Sequence, residues 1–148
     1  MRRIAPELLL QRLIEADAAD VEVSHWLANA FRQWLASGGT ITLPAALGLP
    51  PKATTVQRCM RDTWLNEAAS LLDGGPWQRA QRLRTEALRF GACQWQRWRS
   101  MPLPPADATA LEACLHLAFR TGAAMPDSDQ AYRNILAPTQ AKTIKNLG

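Results

Sequence analysis

The sequence predicts an all-α protein, a compact bundle of six or seven helices with a long central helix at about residues 76–100. Three observations lead to that class. Apolar residues recur at i, i+3, i+4 and i+7 along most of the chain, a spacing that gathers them on one side of a helix. The pairs Gly38-Gly39 and Gly74-Gly75 and the proline-rich stretch 101–105 fall between these periodic runs, where helices must stop. The 148 residues are 47% hydrophobic and 20% charged, which excludes a disordered or collagen-like chain and suits one folded core.

Taken in order, the first helix covers residues 6–19, with Leu9, Leu10, Leu13, Ile14 and Ala16 as its stripe. Pro6 is tolerated there because a first-turn N–H has no helical partner to lose. The second covers 21–37, with Val23, Trp26, Leu27, Ala30, Phe31 and Trp34 inward and His25, Asn29 and Arg32 opposite. Thr40-Ile41-Thr42 has β character, but Pro44 and the run 45–48 read as one or two helical turns closed by glycine. Residues 53–73 form the next helix, with Val56, Cys59, Met60, Thr63, Trp64 and Leu71 inward. Pro76 opens the longest one, which runs ~36 Å to about Ser100. Its inner face reads Trp77, Ala80, Leu83, Ala87, Leu88, Gly91, Trp95 and Trp98. Asp107 caps a helix through Leu111, Cys114, Leu115, Ala118 and Phe119, ended by Gly122. Asp127 or Ser128 starts a short last helix that reaches Leu136. The expected organisation is a single helical domain over 1–137 and a mobile tail over 138–148.

Little in this chain speaks for catalysis. Cys59, Cys93 and Cys114 are odd in number and widely spaced, matching neither a disulfide framework nor a zinc pattern, and read as small core residues in a reducing cytoplasm. His116 and Cys114 sit two apart on a helix, so their side chains diverge by about 200° and form no local dyad. His25 projects from a polar face. No C-x-x-C or H-E-x-x-H spacing occurs, and the glycine pairs lack the strand, lysine and hydroxyl of a phosphate loop. Leu8-Leu9-Leu10 is too short and too closely flanked by polar residues for a signal peptide, and no run approaches the ~20 apolar residues of a membrane span. A non-enzymatic, cytoplasmic protein is expected, with no catalytic residue, metal, cofactor, small-molecule ligand or membrane partner.

Charge is the more informative property. The net charge is +4, yet residues 1–75 carry seven basic and eight acidic side chains, against ten and five in 76–148. On the long helix, at ~100° per residue, Arg79, Arg82, Arg89 and Arg97 fall between about 120° and about 200° from Trp77, with only Glu86 interrupting them. Such an arginine ridge suits a phosphate backbone or an acidic protein surface.

Two stretches resemble a helix-turn-helix. In the first, residues 43–49 support and 55–61 begin a recognition helix exposing Gln57, Arg58 and Arg61, although Pro44 and Pro50-Pro51 depart from the usual short turn. In the second, 111–121 support, 122–126 turn, and the last helix presents Gln130, Arg133 and Asn134 on one face. Those side chains suit bidentate contacts with base edges, and Lys142 and Lys145 suit phosphates. Asp127 and Asp129 crowd that helix start, where capping accounts for them. Of the six tryptophans most lie on apolar stripes, and Trp98, between Arg97 and Arg99, is the one expected to be exposed. The expected function is non-enzymatic nucleic-acid association, DNA binding of helix-turn-helix type, with the ridge on phosphates. The alternative is a protein-interaction adaptor or helical subunit of a larger assembly.

Overall fold

Proline, glycine and capping side chains punctuate the backbone into helices. The computed structural model describes residues 4–15 and 20–136, and among them there are eight helices and no strand. They are α1 (Pro6–Glu15), α2 (Val21–Ala36), α3 (Leu43–Ala46), α4 (Ala53–Ser70), α5 (Pro76–Ala92), α6 (Gln94–Trp98), α7 (Ala110–Arg120) and α8 (Asp129–Leu136). The all-α class holds. The expected count of six or seven is exceeded because the long helix over 76–100 is two helices. The expected tail over 138–148 and the end of the first helix, 16–19, lie outside the described residues.

Contacts divide the chain into two units, Met1–Met60 and Arg61–Gly148. In the first, α1 packs on α2 and α2 on α3. Asp20 caps α2 by accepting from the Glu22 and Val23 N–H groups at 3.0 and 3.4 Å, and the same carboxylate pairs with Arg12 of α1. Trp26 Nε1 donates to the Leu47 carbonyl at 2.9 Å, holding α2 to the end of α3. Leu9, Val23 and Ala30 are buried as their spacing predicts, whereas Leu13, Ile14, Phe31 and Trp34 of the same stripes are exposed.

The second unit is built around α5, which packs against α6, α7 and α8. Its core joins Leu65, Ala68 and Ala69 of α4, Ala80, Leu83, Ala87 and Phe90 of α5, Leu115 and Ala118 of α7 and Tyr132 of α8. The buried side of α5 is rotated from the one expected. Phe90 belongs to it, while Leu88 is 65% exposed and Trp77 41%. Thr109, not Asp107, caps α7, in a reciprocal box with Glu112. Ser128 Oγ accepts from the Ala131 N–H at 3.1 Å and caps α8.

The long helix breaks at Cys93, whose φ of −115° and ψ of −80° leave the helical region. Its neighbours are all helix-compatible, so the cause is packing. Trp95 lies 5.3 Å from the Phe119 ring and Trp98 5.9 Å from Phe90, contacts made from α6. Phe119 in turn reaches α5 at Gly91, where a Cβ would stand 3.2 Å from its ring.

Two outcomes check this core. Leu83→Ala is expected to cost about 2–5 kcal/mol in denaturant unfolding, and Leu88→Ala no more than about 0.5 kcal/mol; equal losses would mean that the buried side is misassigned. Tyr132 is the only tyrosine, and burial pushes its hydroxyl up to about 12, with Arg61 and Arg84 opposing. The unfolded tyrosine ionises near pH ~10, so stability present below that pH is lost as pH rises towards 12. Tyrosinate absorbance should therefore titrate about two pH units higher in the native than in the denatured protein.

Candidate nucleic-acid interface

With Ala80, Leu83, Ala87 and Phe90 turned inward, the outer side of α5 carries Arg79, Arg82 and Arg89, all exposed. Arg82 Nη1 donates to the Asp73 carbonyl at 2.9 Å, and Arg89 pairs with Glu86 at 3.3 Å. The Arg79 guanidinium has no partner among the described residues. Arg97 is also exposed but belongs to α6, beyond the break at Cys93. The structure thus sets three of the four ridge arginines on one helical face and the fourth on another helix, because the 100° progression ends where the helix does.

On another side of α5, the one that carries Trp77 and Arg84, lies α8, antiparallel to it. Arg84 anchors its start, with Nη1 3.3 Å from Asp129 Oδ1 and Nη2 donating to the Asp127 carbonyl at 2.9 Å. The Asp129 carboxylate is therefore paired with α5, whereas Asp127 is held through its backbone carbonyl. Further along, the Arg133 guanidinium stacks over the Trp77 ring, 5.2 Å from its centroid. Gln130 Nε2 donates to Asn134 Oδ1 at 2.9 Å, so these two amides hold each other. Arg133 is brought to Trp77, about 120–200° around α5 from the ridge arginines, and not to their face; Gln130 and Asn134 bond each other on α8 itself.

The other candidate set is dispersed differently. Gln57 is half-buried and Arg58 exposed, while Arg61 pairs with Asp62 at 2.7 Å and donates to the Ala124 carbonyl at 2.6 Å. Lys142 and Lys145 fall outside the described residues.

Trp98 is half-buried, and its carbonyl stands 3.0 Å from Nε2 of His116, which is wholly buried. A carbonyl there calls for the Nε2–H tautomer. Nδ1 of His116 and Oε1 of Gln94 have no hydrogen-bond partner among the described residues. Trp77 is the exposed tryptophan on α5 instead. Its signal was legible: centring the stripe on Ala80, Leu83, Ala87 and Phe90 leaves Trp77 and Leu88 at the margin. An open hollow of about 360 Å³, lined by Leu72, Gln81, Arg82, Thr85 and Glu86, begins one helical turn beyond Trp77. No periodicity announces it.

No group of three or more His, Cys, Asp or Glu suited to a metal occurs among the described residues. No helix there is long and apolar enough to cross a membrane. No family model, curated protein or solved structure matches this chain.

Burial, with the Glu67 charge second, pushes the Cys114 thiol up, so its thiolate is scarce at neutral pH. Cys93 is exposed. A thiol reagent at neutral pH is expected to modify Cys93 well before Cys114, with peptide mapping as the check; equal rates would contradict the burial of α7.

Proposed function

We propose that the protein associates with nucleic acid without enzymatic chemistry, through phosphate contacts from Arg79, Arg82 and Arg89. The observation that carries this reading is the three exposed arginines along one face of α5. Ten residues of helix rise ~15 Å, a span of about four phosphates along one strand. Arg133 of α8 and Arg97 of α6 are exposed cations outside this track. Base reading by α8 is not part of the proposal, since Gln130 and Asn134 are bonded to each other. Arg82 and Arg89 are held by exposed partners of the kind worth about 0–1 kcal/mol, which a phosphate displaces readily.

A second reading, docking on an acidic protein surface, is favoured by Leu88, which stands exposed on the same helix as the arginines. An apolar side chain beside arginines suits a protein interface better than a phosphate track.

Fluorescence anisotropy of protein stripped of nucleic acid, against mixed-sequence duplex DNA, single-stranded DNA and RNA, separates the two. Three phosphate contacts predict a salt slope of about −2.7 on duplex DNA, an affinity loss of about 40-fold between roughly 50 and 200 mM salt. Arg82→Glu with Arg89→Glu should abolish binding while leaving the helical content unchanged. No binding at the lowest salt overturns the proposal. Loss of a co-purified acidic protein on Leu88→Ser establishes the second reading in its place.

A further inference from the structure

We infer that this surface takes an unpaired nucleic-acid strand, one base stacking at the Trp77–Arg133 pair and the backbone following α5 past Gln81 to Arg82. The inference rests on the nucleic-acid reading above and adds the class of ligand. Trp77 is set just after Pro76 in the first turn of α5, with 41% of its surface open to solvent. The Arg133 guanidinium, 5.2 Å from the ring centroid, holds that ring in one orientation. Arg133 is itself positioned by α8, which Tyr132 buries in the core and Arg84 ties to α5. The pair is thus an aromatic ring and a planar cation, laid together and fixed by the fold rather than by a flexible loop.

An unpaired base offers its π face to such a platform. In a duplex both faces are already stacked on neighbours, and a convex helix surface reaches only phosphates. The pattern of α5 continues the path. Gln81 and Thr85 follow Trp77 at i+4 and i+8, on the same side of the helix, and line the 360 Å³ hollow with Leu72, Arg82 and Glu86. There the Gln81 amide offers hydrogen bonds to a base edge or sugar, Arg82 a charge for the phosphate, and the Glu86 carboxylate is paired with Arg89 at 3.3 Å. Stacking at Trp77 with a cationic track one turn away is the combination that binds single strands without reading sequence.

The test compares labelled oligothymidylate, oligouridylate and a blunt duplex by anisotropy at one salt concentration, on the full chain. Wild-type protein is expected to bind at least one single strand more tightly than the duplex. Trp77→Leu, which keeps apolar bulk and removes the ring, should weaken single-strand binding roughly 5- to 150-fold and leave duplex binding unchanged. Arg82→Glu with Arg89→Glu should weaken both. Should Trp77→Leu not fold, ultraviolet crosslinking of oligothymidylate to the wild-type protein must place the adduct on Trp77. A folded Trp77→Leu that binds single strands like wild type, a preference for the duplex, or a crosslink elsewhere overturns the stacking inference while the arginine reading stands. Failure of the wild type to bind any of the three overturns both.

Discussion

Ala80, Leu83, Ala87 and Phe90 occupy one side of α5, and the second unit depends on their burial. Alanine at two of the four positions lets the neighbouring helices approach closely, and Leu83 and Phe90 fill the space between them. Through this strip α5 shares a core with Leu65 and Ala68 of α4, Leu115 and Ala118 of α7 and Tyr132 of α8. A helix so buried has no freedom about its own axis, because rotation by one residue would turn Leu83 to water and draw a guanidinium inward, at the cost of desolvating a charge. The outward direction of Arg79, Arg82 and Arg89 is therefore a consequence of apolar packing on the far side.

The same packing places what α8 contributes. An eight-residue helix is too short to be stable alone in water, so its position comes from its contacts. Tyr132 supplies the buried anchor, Arg84 fixes the start at Asp129 and the Asp127 carbonyl, and the antiparallel course that results carries Arg133 back to the beginning of α5 over Trp77. One arginine of α5 thus holds an element, whereas its neighbours on the outer face meet solvent. Arg84 differs from them only in its angle on the helix.

The helical class, the order of the elements and the α7 core were legible because each rests on local signals: period, proline, glycine and capping hydroxyls. Leu115, Ala118 and Phe119 fell where the spacing put them. The break at Cys93 was not legible, since Ala92, Cys93 and Gln94 are all acceptable in a helix and the cause lies in the packing of Trp98 on Phe90 and of Trp95 on Phe119, the latter distant in sequence. Extending the 100° progression through that break is what drew Arg97 into the ridge; Trp98 was expected in solvent because Arg97 and Arg99 flank it, and it is half-buried. On α4 the difficulty was a change of side. Val56 and Met60 are buried in its first half, and Leu65, Ala68 and Ala69 in its second, at angles that a single stripe does not contain. One averaged face over 53–73 therefore included Leu71, which is exposed, and omitted Leu65, which is wholly buried.

In the proposed reading, affinity and selectivity on this surface come from different groups. Arginines attract any polyanion, so Arg79, Arg82 and Arg89 alone would treat a duplex, a single strand and an acidic protein much alike. Salt dependence follows mainly from their number, at about −0.9 per contact on a duplex and about −0.7 on a single strand, a small difference. In that proposal Trp77 is the group that distinguishes these ligands. A carboxylate side chain has no extended π face to lay on an indole, and a paired base has none free. An unpaired base has one, and it meets a ring that Arg133 has already oriented, so little side-chain freedom is lost on binding. Arg133 lies over one face of the ring, and the base is assigned to the part of Trp77 left open to solvent. On that proposal selection is decided at the join of α5 and α8, and the arginine face determines how strongly the strand is held.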